Sequence, residues 1–194
     1  MQDLKRVAIL GCTGSIGTQA LDVCRQHADK LSVVALSAHS RTSDLAMFAR
    51  EFGVARVAVT DPDHFDDASL CDLPDACSLY KGSQAAIDIC MHEDVDIVLV
   101  SIVGAAGLSA TYQLIAAGKQ VALANKESLV VGGDLIMPMV KPGQMLPVDS
   151  EHAAIFQCYQ GENPRETHCI WLTCSGGPFF GRTRDQLASV TPAD

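Results

Sequence analysis

Positive charge is scarce in this chain: 14 Lys and Arg stand against 23 Asp and Glu, giving a net charge of −9 and a pI near 5.0. No overall positive field is available to hold a polyanion, so nucleic acid is not an expected partner. A long apolar run is missing too. The longest, from Ile97 to Leu108, is interrupted by Ser101 and falls well short of the roughly 18 residues a membrane span needs. Gly and Pro number only 15 and 8, too few for a low-complexity chain. Eight cysteines form no CxxC pair and sit mostly within apolar runs, which reads as reduced core thiols rather than a disulfide framework or a thiolate metal site. The stretch before Val7 has neither the apolar core of a signal peptide nor the Arg- and Ser-rich character of a transit sequence, and a cytoplasmic location is expected.

The 194 residues are 48% hydrophobic and 19% charged, with a mean hydropathy of +0.18, enough to build a full-sized globular core. Short apolar runs recur at Val7–Leu10, Val33–Leu36, Val57–Thr60, Ile97–Val103 and Val121–Ala124, with helix-like segments between them. Such alternation predicts an α/β fold with a Rossmann-like, doubly wound, mostly parallel sheet covered by helices on both faces. Leu45, Phe48, Ala49 and Phe52 share one helical face ahead of Gly53, a second helix runs from about Leu108 to Ala117, and a third covers Ser83–Met91. Pro62–Gly82 has poor periodicity and reads as a surface excursion. A strand at Met145–Val148, a helix at Glu151–Tyr159 and a strand at Cys169–Thr173 follow, and Thr183 with Gln186 resembles a capping box. The pattern changes near Pro147. It predicts a first domain over 1–149 and the start of a second, α+β domain over 150–194, too short for an independent unit.

The first strand runs directly into Gly11, Cys12, Thr13, Gly14, Ser15, Ile16 and Gly17, a GxxGxxG opening a helix near Thr18. Glycines allow the tight turn and close backbone approach, while free amides at the helix start favour a pyrophosphate. This predicts dinucleotide binding. No carboxylate ends the second strand, as an NAD site would require. Ser40 and Arg41 stand there instead, suited to a 2′-phosphate and hence to NADP; a solvated loop arginine is the other reading. His39 receives no assignment.

Three further polar groups follow strands. Asp149 and Glu151 flank Ser150, and in extended backbone they would point the same way, offering oxygen ligands to Mg²⁺ or Mn²⁺. The same residues would also cap the following helix, and spacing leaves both readings open. His152 reads as an ordinary helix residue. Asn125, Lys126 and Glu127 lie where doubly wound sheets bind ligands, or form a loop salt bridge. Thr173–Pro178 with Ser175 offers a phosphate nest, or a plain turn.

Taken together, Gly11–Gly17, LANKESLV at 123–130, PVDSEHAAIFQ at 147–157 and LTCSGGPF at 172–179 resemble the 1-deoxy-D-xylulose 5-phosphate reductoisomerases, from Val7 to the end of the chain. The resemblance implies an NADPH-dependent oxidoreductase and isomerase that makes 2-C-methyl-D-erythritol 4-phosphate for isoprenoid precursors. It implies Thr13, Gly14, Ser15 and Ile16 around the NADPH phosphates, Ser40 and Arg41 at the adenosine phosphate, and Asn125 and Glu127 towards the nicotinamide. Asp149 and Glu151 would hold Mg²⁺ or Mn²⁺, Lys126, Ser150 and Glu151 would meet the substrate oxygens, and Ser175 the phosphate of a sugar phosphate substrate. Lys126 and Glu151 are the implied catalytic residues. Family members are about twice as long, with a catalytic lid and a further metal-binding glutamate, so the resemblance implies an amino-terminal portion, inactive alone, of a full-length homodimer. Cys12 stands where the family has serine or alanine, which would make the loop oxidisable, and His39–Arg41 departs from the family's glycine-containing loop. The rival expectations are an NADP-linked semialdehyde or homoserine-type dehydrogenase needing no divalent cation, and a non-catalytic NADP-sensing module.

Overall fold

A computed structural model describes residues 4–171, 177–191 and 194. Seven strands, β1 (Lys5–Leu10), β2 (Leu31–Ala38), β3 (Arg56–Val59), β4 (Ser78–Lys81), β5 (Ile97–Val100), β6 (Gln120–Leu123) and β7 (Met145–Pro147), form one sheet in the order β4-β3-β2-β1-β5-β6-β7. Every pairing is parallel. The doubly wound Rossmann-like fold expected from the alternating runs is the fold observed.

Period-two alternation sends successive strand residues to opposite faces. Ala8 and Leu10 of β1 join Val98 and Val100 of β5 in one core, which α3 (Ala85–Asp88), α4 (Ala105–Ala116) and α5 (Glu127–Ile136) cover through Ile87, Leu114 and Ile136. Val7 and Ile9 join Leu36 and Val57 in the other, which α1 (Ser15–Gln26) and α2 (Thr42–Phe52) cover through Leu21, Leu45 and Ala49. Ile9, Leu10, Leu36 and Leu114 are fully buried, each contributing roughly 1.5–3 kcal/mol of transfer free energy. Both faces therefore drive the fold.

Several boundaries differ from the sequence expectation, each for a local reason. The fifth strand stops at Val100 rather than Val103, because Ser101 turns its hydroxyl onto the Leu10 carbonyl at 2.6 Å and the chain swings to Gly104 at φ +70. Strand β4 lies inside the supposed surface excursion; Ser-Leu-Tyr-Lys shows no β-branched residue, and pairing with β3 creates the strand. Helix α5 was not expected, since Val130-Val131-Gly132-Gly133 disguises it and Gly132 kinks it at φ −121. Helix α1 begins at Ser15 rather than Thr18, and α3 is a single turn. No strand is present at 169–171, and residues 172 and 173 of the expected strand lie outside the described residues. Gln186 does reach back to the Thr183 amide at 2.8 Å, but the turn that follows is 3₁₀ rather than an α-helix.

The described cysteines are all free thiols. Cys12, Cys24 and Cys90 are core residues, Cys77 is half-buried, and Cys71, Cys158 and Cys169 are exposed, contrary to a uniformly buried set. The exposed three sit on a short 3₁₀ turn, on the last residue of α6 (Ser150–Cys158), and on irregular chain.

Residues Met1–Ala153 and Ala154–Asp194 form two compact units. The first holds the sheet. The second contains 3₁₀ turns at Pro164–Glu166, Gly177–Phe179 and Asp185–Leu187, with Trp171 and Phe180 exposed. Among the described residues no helix is long and apolar enough to cross a membrane.

Candidate functional site

The strand order reverses direction between β1 and β5, and ligands of open α/β sheets enter the crevice at the C-terminal ends of such strands. Gly11 leaves β1 there at φ +80, in the left-handed region that glycine tolerates. Its amide and that of Cys12 donate to the Ser37 carbonyl at 3.1 and 2.9 Å, and the Gly14 amide donates to the Gly11 carbonyl at 3.0 Å. A Cβ on Gly17 would sit 2.3 Å from that same carbonyl oxygen. The turn therefore closes only with glycine at 17. Gly14 precedes α1 with no side-chain cap and no acid in the first turn, so the unpaired amides and the positive end of the helix dipole face outward.

A cavity of about 710 Å³ opens from this turn. Thr13, Gly14, Ser40 and Arg41 line it together, with Ser37, His39, Thr60, Ser83 and Ser101 beside them and Ile102, Val103 and Ala106 on an apolar wall. Arg41 reaches Asp44 at 3.6 Å and is more than half exposed. Ser15 and Ile16 lie in the first turn of α1 outside that lining; Ser15 accepts a hydrogen bond from Gln19, and Ile16 is 39% exposed. Cys12 is fully buried and its thiol is pushed up to about 12, chiefly by burial. A thiol held protonated is inert, which corrects the expectation of an oxidisable loop.

Asn125 is buried and committed to backbone. Its amide donates to the carbonyls of Ile102 and Gly104, and its Oδ1 accepts the Ser128 amide at 3.0 Å. It thus fixes the Ile102–Gly104 segment that walls the cavity without lining the cavity itself. Glu127 is exposed at the start of α5.

Three strand spacings from β1, or about 14 Å, β7 ends in a second polar cluster. Lys126 Nζ lies 2.8 Å from Asp149, whose side chain is only 13% exposed. Asp149 is held below the usual carboxylate range, first by the hydrogen bond from Lys126, against the opposing effect of burial. Lys126 is correspondingly raised by Asp149. Ser150 Oγ donates to Glu151 at 2.8 Å, and His152 Nδ1 lies 3.9 Å from Asp149. Asp149 and Glu151 do not follow one another along a strand: Asp149 accepts the Ala153 amide through its carbonyl, and Glu151 stands in the first turn of α6. Lys126 and His152 also border an apolar hollow of about 600 Å³ against Met145 and Pro147. Ser175 lies outside the described residues. Among the described residues no group of three or more His, Cys, Asp or Glu side chains gathers as a complete metal cage.

Sequence reasoning passed over Ser37 and Ser101, which pin the glycine turn from either side. A lone serine ending each of two apolar runs was the available signal.

The profile of 1-deoxy-D-xylulose 5-phosphate reductoisomerase matches residues 7–133, and that of the 1-deoxy-D-xylulose 5-phosphate reductoisomerase C-terminal domain matches residues 145–194. The chain belongs to the 1-deoxy-D-xylulose 5-phosphate reductoisomerase family. It is 43% identical to the reductoisomerase of Clostridium kluyveri over 197 residues, covering 97% of this chain and 50% of that protein. The reductoisomerase of Zymomonas mobilis solved with NADPH is 39% identical, with a TM-score of 0.82 over 98% of this chain and 50% of that one. A DOX-P reductoisomerase solved with magnesium is 38% identical, with a TM-score of 0.78 over 97% of this chain and 50% of that one. The chain spans about half the length of these reductoisomerases.

Proposed function

We propose that this chain supplies the dinucleotide turn and two metal carboxylates of an NADPH-dependent reductoisomerase converting 1-deoxy-D-xylulose 5-phosphate to 2-C-methyl-D-erythritol 4-phosphate. The observation that carries the reading is the Lys126–Asp149 pair, with Ser150 donating to Glu151 next to it in sequence, on the same C-terminal sheet edge that carries the glycine turn. A bare dinucleotide dehydrogenase has no need of that cluster.

In this reading the amides of Thr13, Gly14, Ser15 and Ile16 hold the cofactor phosphates, and Ser40 with Arg41 takes the 2′-phosphate. Asn125 positions the Ile102–Gly104 wall near the nicotinamide end, with Glu127 beside it. The donor set at β7 fits a hard cation: two carboxylates two residues apart, all oxygen, the Asp149 one shielded from water. Asp149 and Glu151 would hold Mg²⁺ or Mn²⁺. Bound there, the cation supplies Lewis-acid stabilisation of negative charge on the substrate oxygens, and NADPH supplies the hydride. Lys126 keeps its ammonium protonated beside Asp149 and orients the same oxygens, Ser150 donates a hydrogen bond to them, and Ser175 takes the substrate phosphate. A homodimer of the full-length protein and a cytoplasmic location belong to the same reading.

Calorimetric titration of the 194-residue chain tests it. NADPH is expected to bind at least tenfold more tightly than NADH, as one charge-assisted contact of about 1.4 kcal/mol requires, and Arg41→Ala is expected to erase the difference. Mn²⁺ is expected to bind weakly and to lose its site in Asp149→Asn. Equal affinity for the two nucleotides would refute the 2′-phosphate assignment; unchanged Mn²⁺ binding in the variant would favour a metal-free dehydrogenase.

A further inference from the structure

The cavity beside the glycine turn has one aromatic ring in its lining, and that ring is held through one of its nitrogens. His39 follows β2 and lines the cavity, with 74% of its side chain exposed. Its Nδ1 lies 2.9 Å from Thr60 Oγ1, and its Nε2 lies 3.6 Å from the Asp61 carboxylate. Thr60 and Asp61 both follow β3, so the ring is tied edge-on to the neighbouring strand end. With Nδ1 engaged and a carboxylate beside Nε2, the ring has its face to offer a ligand.

The direction of a bound dinucleotide sets what that face meets. With its pyrophosphate on the turn after β1 and its ribose at the end of β2, the base must continue outward past β2 towards β3. Thr60 and Ser83 line that end of the cavity. A purine has a π-face and little net charge, and a flat ring already held through one nitrogen binds it with small loss of conformational freedom.

We infer that His39 is the platform on which the adenine of the dinucleotide stacks, while Arg41 serves the phosphate. The inference rests on the dinucleotide reading above and adds a base-binding residue to it. Thr60 acts as the positioning residue, holding the ring through Nδ1, with the Asp61 carboxylate beside Nε2.

Titrations of the 194-residue chain with NADPH, NADH and 2′,5′-ADP test the assignment in His39→Ala, His39→Phe and Arg41→Ala. Stacking is common to all three ligands, so His39→Ala is expected to weaken each by the same factor, on the order of tenfold. His39→Phe keeps a ring face without the nitrogens and is expected to retain most of the affinity. Arg41→Ala is expected to weaken NADPH and 2′,5′-ADP but spare NADH. Wild-type affinity in His39→Ala, equal losses in the Phe and Ala variants, or a loss confined to the 2′-phosphorylated ligands would overturn the inference while leaving the dinucleotide reading in place. Failure of the wild-type chain to bind any of the three would instead remove that reading, and this one with it. Thermal unfolding of each variant confirms that an exposed residue has been changed without loss of fold.

Discussion

Two glycines separate two kinds of constraint. Gly17 has ordinary backbone angles but no room, since its Cβ would stand 2.3 Å from the Gly11 carbonyl oxygen and 2.7 Å from the Cys12 Cα. Gly53 ends α2 at φ +60 with nothing within 4 Å of its Cβ. The obstruction at Gly17 is backbone, so the turn itself must open to admit a methyl group. Gly17→Ala is therefore expected to cost about 1–3 kcal/mol in urea unfolding, the usual range for overpacking, and to abolish nucleotide binding. Gly53→Ala is expected to cost about 1 kcal/mol from left-handed backbone alone and to leave binding intact. Equal binding in both variants would show that the turn tolerates expansion. The glycine pattern was legible in the sequence. Which glycine answers a steric demand and which a torsional one was not, because the colliding oxygen belongs to a residue six positions away whose direction only the folded turn sets.

Elements are joined here by side chains that a periodicity argument cannot reach. The buried Thr42 that opens α2 donates to Asp67 at 2.5 Å, Ser69 donates to Thr42 at 2.9 Å, and His64 Nδ1 lies 2.9 Å from Asp67. The supposed excursion after β3 thus braces the start of the helix that follows the cavity-lining loop after β2. Asp67 is lowered, first by its hydrogen bond from Thr42 and then by that from His64, and His64 is raised, first by Asp67. A lowered carboxyl stabilises above its ordinary 3.8 and loses that contribution as pH falls further. A raised histidine stabilises below its ordinary 6.5 and loses that contribution as pH climbs through its folded value. The brace is thus fullest between those limits. The melting temperature of the wild type relative to Asp67→Asn is expected to peak within that window and to narrow on either side; a difference that does not vary with pH would show that the ion pair contributes nothing. Strand β4 and helix α5 escaped the sequence for a related reason: one is made by an edge pairing, the other hides its helical face under adjacent valines and glycines.

At the scale of the whole sheet, the two ends of the strands carry different work. The helices on both faces, the parallel pairing and the glycine turn after β1 follow from apolar runs and glycine spacing and were readable in the sequence; the strand order that sets β5 beside β1 was not. Asp149 and Glu151 were readable only as a pair of acids, because the place of Glu151 depends on where α6 begins. Polar groups at the C-terminal ends line the cavity or meet at Lys126. At the opposite ends Arg6 forks onto Asp96, with 3.0 and 2.7 Å contacts, and Arg56 bonds both oxygens of Asp94. Asp96 is lowered to about 2, chiefly by its hydrogen bond from Arg6. Its contribution is present above the ordinary carboxylate value and is lost as pH falls towards 2. Asp96→Asn should cost about 1 kcal/mol at neutral pH, after allowing for solvent screening of the half-exposed guanidinium, with the deficit fading on acidification and NADPH affinity unchanged. Asp149→Asn, at the other end, should leave stability nearly unaltered because its partner Lys126 is half exposed, while removing the Mn²⁺ site. Denaturant unfolding and ligand titration on the same two variants test this division, and it fails if Asp96→Asn weakens NADPH binding or if Asp149→Asn unfolds the chain.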